Sequence, residues 1–140
     1  MSDAFPITIY HNPDCGTSRN TLAMIEAAGY APTIVDYRET GWTRPTLDRL
    51  LSAMGAKPQD ILREKGTPAA ELGLLDPATS DEAIIEAMLQ HPILVNRPIV
   101  VTPKGTKLCR PSEAVLALLD RMPAEFVKED GEVVIGARPR

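Results

Sequence analysis

Few residues in this sequence are able to do covalent chemistry. Of its two cysteines, Cys15 lies in HNPDCGTSRNTL (11–22), between a short apolar run and a segment with helical spacing. A thiol is a good nucleophile only as the thiolate, and a helix N-terminus favours negative charge. The free N–H groups of a first helical turn also form an anion site. Gly16, Thr17 and Ser18 follow Cys15 directly. Two readings stand at this point: a buried turn cysteine, or an activated nucleophile in polar company that an inert core thiol would not need.

What is missing narrows the chemistry. The C-x-x-C of a dithiol redox centre would need a cysteine at Ser18, and the C-x₅-R of a phosphatase-type loop would need an arginine at Thr21. Two cysteines and two histidines at scattered spacings give no zinc pattern, so no metal site is expected. Cys15 is left to act alone or with a thiol from another molecule.

Several neighbours bear on that role. His11 can support a thiolate electrostatically or through a hydrogen bond, or be a strand-end surface histidine. Ser18 reads either as a helix N-cap or as a catalytic hydroxyl. Asn12 and Arg19 read as loop-stabilising, with a solvated side chain as the alternative for Arg19.

A second cluster is NRPIVVT (96–102) with LCRP (108–111). If residues 99–102 pair with 106–109, Arg97 and Arg110 come to one end of a hairpin. Two guanidiniums held close repel unless an anion sits between them, and arginine suits tetrahedral oxyanions through bidentate contacts. Two unrelated salt bridges are the alternative. Arg63, in the helical middle of the chain, reads on pattern alone as a solvated helix face. Cys109 reads as core, and His91 before Pro92 as a helix end.

The elements that position these residues follow from periodicity. ITIY (7–10) and TIVDY (33–37) are strand candidates, and the helix between them starts at Thr17 or Ser18 and stops at Gly29. This is a βαβ unit with a parallel pair. The middle is helical: one helix opens at Thr43 or Pro45 and carries Leu47, Leu50, Leu51 and Met54 on one stripe. Lys57–Lys65 is expected to form a short helix and Thr67–Leu74 a further turn. A capping box from Thr79 and Glu82 opens another helix, with Ile84, Ile85, Met88 and Leu89 on one face. IVVT (99–102), PKG and TKLC (106–109) read as a β-hairpin. Pro111 then opens a last helix that turns Val115, Leu118 and Leu119 inward. No element is expected beyond Pro123. The order matches an α/β, thioredoxin-like βαβ…ββα core with an all-helical insertion at about 43–92; periodicity by itself supports α/β in a single domain over 1–140, and the finer topology needs more.

Bulk properties set outer limits. A chain of 140 residues buries roughly two-thirds of its unfolded surface, enough for a real core. A net charge of −4 counts against a broad nucleic-acid-binding surface. No apolar run approaches the ~20 residues of a membrane span, and MSDAFPITIY lacks the pattern of a secretory signal. The expected location is the cytoplasm, where both cysteines stay thiols.

Together, HNPDCGTSRNTL (11–22), LQHPILVNRPIVVTPKGTKLCRPSE (89–113) and KEDGE (128–132) closely resemble the glutathione- and glutaredoxin-coupled arsenate reductases. The resemblance runs from about Ile7 to about Leu119. It implies a thioredoxin-like fold with a helical insertion and a cis Pro98. It also implies an oxidoreductase of arsenic detoxification with Cys15 as the catalytic cysteine, and His11 and Ser18 as groups that activate and orient its thiolate. Arg63, Arg97 and Arg110 match the family's oxyanion-binding arginines. Arsenate would be the substrate, glutathione the co-substrate and glutaredoxin the partner, with no bound cofactor. Two other readings are a non-enzymatic thioredoxin-like regulator that binds RNA polymerase, and a thiol reductase of another substrate. Ser18 in place of a second cysteine counts against the first, and the paired arginines against the second.

Overall fold

Residues 5–135 are described by a computed structural model. The first four residues of the stretch read as lacking a secretory signal, and the tail GARPR (136–140), lie outside the described residues. The described residues form two compact units, 5–36 with 97–135 and 37–96.

The first unit is built on a four-stranded sheet. Strand β1 (Thr8–His11), helix α1 (Gly16–Ala27) and strand β2 (Thr33–Asp36) form the βαβ unit, and β3 (Ile99–Thr102) and β4 (Gly105–Leu108) the hairpin. The strand order is β2-β1-β3-β4. β1 runs parallel to β2, with Thr8 opposite Thr33, and antiparallel to β3, with Ile9 opposite Val100. This is the expected thioredoxin-like arrangement. Side chains alternate across a strand, so β1 buries Ile9 and His11 on one face while Thr8 and Tyr10 are half-buried. Ile9 packs with Met24, Ile25, Val100, Cys109, Val115 and Leu118 in a core between sheet and helix.

Three local features of this unit differ from the sequence expectation. Helix α1 begins at Gly16, with Cys15 itself at the N-cap position. The segment after Pro111 is a 3₁₀ helix, Ser112–Leu118, closed by three-residue-step bonds such as Leu119 N–H to the Leu116 carbonyl. Its last carbonyls are taken from outside: the Thr102 hydroxyl donates to Leu118 O at 2.7 Å and Lys104 Nζ to Leu119 O at 3.1 Å. The helix still buries Val115 and Leu118, and Leu119 just after it is buried too. Beyond Pro123 a small antiparallel hairpin forms from β5 (Phe126–Val127) and β6 (Val133–Ile135). The Arg97–Pro98 peptide is cis, as the resemblance implied, and so is Arg110–Pro111.

The second unit is helical. It contains α2 (Tyr37–Thr40), α3 (Arg44–Met54) and α4 (Asp81–Gln90), with 3₁₀ turns at Pro58–Ile61 and Pro92–Leu94. Thr43 caps α3 as its sequence predicts, accepting the Thr46 N–H, and Leu47, Leu50 and Leu51 are buried. The cap of α4 is Ser80, which accepts the Ala83 N–H, and not Thr79, whose hydroxyl instead donates to Gly73 O at 2.7 Å. Only one 3₁₀ turn forms within 57–65. Arg44 joins α3 to α4 through a fork on Glu82 at 2.6 and 2.7 Å. No helix among the described residues is long and apolar enough to cross a membrane.

Candidate active site

The loop between β1 and α1 is held by its own backbone. Asn12 Oδ1 accepts the Asp14 N–H at 2.9 Å, and Asn12 O accepts the Cys15 N–H at 3.0 Å. This Asx turn is what Asn favours at such a position, and it delivers Cys15 to the start of α1. The Cys15 carbonyl then takes the first intrahelical bond, from Arg19 N–H at 2.9 Å.

Ser18 sits three residues into the helix, fully buried. Its Oγ accepts the Asn12 N–H at 3.1 Å and lies 2.7 Å from His11 Nδ1. Ser18 Oγ and His11 Nδ1 share one hydrogen bond, whose donor is set by the tautomer of the ring. One hydroxyl therefore links the end of β1, the loop and the first turn of α1. The N-cap reading of Ser18 does not hold, because Cys15 occupies that position.

Arg97 and Arg110 come together at one end of the β3–β4 hairpin, where Ile99 pairs with Leu108. Arg110 Nη1 donates to Arg97 O at 2.9 Å and to Cys15 Sγ at 3.9 Å. The half-buried Cys15 feels opposing influences. Burial pushes its thiol up, but the Ser18 backbone N–H and the Arg97 and Arg110 guanidiniums favour the thiolate, and the net result lies below the ordinary value. Cys109 behaves in the opposite way. It is fully buried, and burial pushes its thiol up to about 12. One cysteine is prepared to ionise and the other is core.

Arg63 lies in the second unit, after the Pro58–Ile61 turn. Its backbone N–H donates to Leu94 O at 2.7 Å, and its guanidinium donates to Lys65 O at 3.2 Å and Asn96 Oδ1 at 3.4 Å. Arg19 carries more structure than a solvated side chain. Its Nη1 donates to Pro13 O at 2.8 Å, and Nε and Nη2 fork onto Glu129 at 2.8 and 3.0 Å. The loop-stabilising reading of Asn12 and Arg19 is the one realised. Glu129 escaped the sequence analysis although KEDGE was noticed, because a partner 110 residues away leaves no local pattern.

A thiol prepared to ionise, set at a helix N-terminus with guanidinium donors converging on it, can attack an electrophilic oxyanion. Comparison with known proteins agrees in kind. Residues 10–118 match the model of the ArsC family. The arsenate reductase ArsI2 of Synechocystis sp. is 57% identical over 133 residues, which cover 94% of this chain and 95% of that protein. The arsenate reductase of Rhizobium meliloti is 58% identical over 132 residues, 94% of each. Among solved structures, the arsenate reductase from Vibrio cholerae matches with a TM-score of 0.78 at 41% identity, covering 83% of this chain and 99% of that one.

Proposed function

Because the chain belongs to the ArsC family, we propose that it is an arsenate reductase in which Cys15 is the nucleophile. The observation that carries this reading is the contact of Arg110 Nη1 with the Cys15 sulfur at the head of α1. The Cys15 thiolate attacks arsenic and displaces hydroxide or water, forming a sulfur–arsenic bond. Arg97 and Arg110 bind the oxyanion and stabilise the charge of the adduct, with Arg63 as the third oxyanion-binding arginine. Ser18 keeps its N–H directed at the sulfur, and His11 supports the thiolate through its bond to Ser18 Oγ.

Reduction of arsenate to arsenite takes two electrons, and the chain has no resolving thiol beside Cys15. Position 18 is a serine, and Cys109 is held as a buried thiol. The electrons therefore come from outside. Glutathione attacks the adduct and glutaredoxin completes the turnover, so that thiols are oxidised to a disulfide as arsenic is reduced. Glutathione is a co-substrate in this scheme, no cofactor is bound, and the reaction belongs in the cytoplasm, where thiols stay reduced.

The test is a coupled assay with glutathione, glutaredoxin, glutathione reductase and NADPH. Arsenate should trigger NADPH oxidation, and omission of glutaredoxin should slow it strongly. NADPH oxidation that ignores arsenate would remove the substrate assignment. Full turnover without glutaredoxin would remove the coupling.

A further inference from the structure

The β5–β6 hairpin makes contacts that its size does not explain. Its turn, Lys128–Glu132, bonds to helix α1 on one side and to the segment after Arg110 on the other. On one side Glu129 holds Arg19 by a fork at 2.8 and 3.0 Å, and Arg19 holds the Pro13 carbonyl at 2.8 Å. The Glu129 backbone N–H also donates to Asn20 Oδ1 at 3.0 Å. Gly16, the first residue of α1, faces the same pair: a Cβ there would lie 3.7 Å from Arg19 Nη2 and 3.9 Å from Glu129 Oε1. On the other side Lys128 Nζ pairs with Glu113 at 2.8 Å and Glu132 at 3.3 Å. Glu113 stands three residues after Arg110. The hairpin thus spans the loop that carries Cys15 and the segment that follows Arg110.

Stability alone does not account for this arrangement. The side chains of Arg19 and Glu129 are 44% and 48% exposed, and exposed ion pairs contribute little. Their geometric effect is larger, because one planar guanidinium ties a loop carbonyl and a distant carboxylate together at fixed angles. We propose that the Lys128–Glu132 turn is a clasp that fixes the Cys15 loop relative to the Arg110 segment, with Arg19 and Glu129 as its positioning pair. The proposal rests on the reading of Cys15 as the reacting group. Neither residue touches the substrate; both act through the backbone at Pro13, which sets where the sulfur lies against the Ser18 N–H and Arg110 Nη1.

The sign of one effect separates positioning from simple charge. Removing the carboxylate in Glu129→Gln takes a negative charge away, so Coulomb interaction alone would move ionisation of the Cys15 thiol to lower pH. Loosening the loop would withdraw the sulfur from its hydrogen-bond donors and move it to higher pH. Arg19→Lys keeps a positive charge but loses the fork; because Arg19 also acts on Cys15 through its charge, a rise there supports the clasp only together with the rise in Glu129→Gln.

The experiment is the pH profile of iodoacetamide alkylation of Cys15 in the full chain, with thermal unfolding recorded alongside. Glu129→Gln and Arg19→Lys are each expected to raise the midpoint by about half a pH unit with little change in Tm. A midpoint that stays put or falls in Glu129→Gln, or a wild-type profile in Arg19→Lys, overturns the clasp. Alkylation needs no arsenate, so failure of the clasp and failure of the proposed reaction are read separately.

Discussion

Arg110 Nη1 lies 3.9 Å from the sulfur of Cys15, and the same nitrogen donates to the Arg97 carbonyl at 2.9 Å. The guanidinium is thereby tied to the entry of β3 while it faces the thiol. This explains how a half-buried sulfur is held below its ordinary pKa: burial opposes ionisation, and donors from both α1 and the hairpin end outweigh it. The site joins two chain segments 95 residues apart, brought together by the pairing of β1 with β3.

Removing either arginine should therefore cost turnover. Arg97→Ala and Arg110→Ala are each expected to lower kcat for arsenate by about 10²–10³, the usual loss for one donor to a developing oxyanion. Steady-state kinetics on each variant check this. Near-normal kcat in both would mean that the anion is bound elsewhere.

Ser18→Ala tests the junction that shapes the loop. It removes the acceptor of the buried Asn12 N–H and the partner of His11 Nδ1. The expected loss of stability is about 1–3 kcal/mol in urea unfolding, the cost of leaving a buried polar group without its bond. A loss of a few tenths would show that the hydroxyl is replaceable.

Linkage gives a pH dependence with a definite sign. The folded chain holds the Cys15 thiol below its ordinary value, so between the two values the unfolded chain binds more protons. Stability from this thiolate is fully present above the unfolded pKa and is lost as pH falls through the folded one. The Tm advantage of wild type over Cys15→Ser should shrink from mildly alkaline toward acid pH. A constant difference across that range would contradict an activated thiol. Cys109, pushed up to about 12, should resist alkylation until the chain unfolds.

The parts of this architecture that follow local periodicity were legible in the sequence. The βαβ start, the β3–β4 hairpin and the stripe of α3 were expected within a residue or two, since alternation and helical spacing record which face is buried. The approach of Arg97 to Arg110 was legible because a hairpin register determines both its ends. Ser18 was harder, because a serine near a helix start reads first as its N-cap, and only the backbone at Cys15 shows that the helix begins earlier. β5 has two residues, too few for an alternating pattern to register. The 3₁₀ form of Ser112–Leu118 left no signal, since its apolar spacing serves an α-helix equally well. The Arg19–Glu129 pair had no sequence signal, since its partners meet only after the fold has formed.

The central claim, that one cysteine carries the reaction with thiols supplied from outside, is tested most directly by the arsenite formed by wild type, Cys15→Ser and Cys109→Ser with glutathione and glutaredoxin. The account predicts no arsenite above background from Cys15→Ser and largely intact production from Cys109→Ser. Arsenite formation that survives Cys15→Ser, or that is lost in a folded Cys109→Ser, would contradict it.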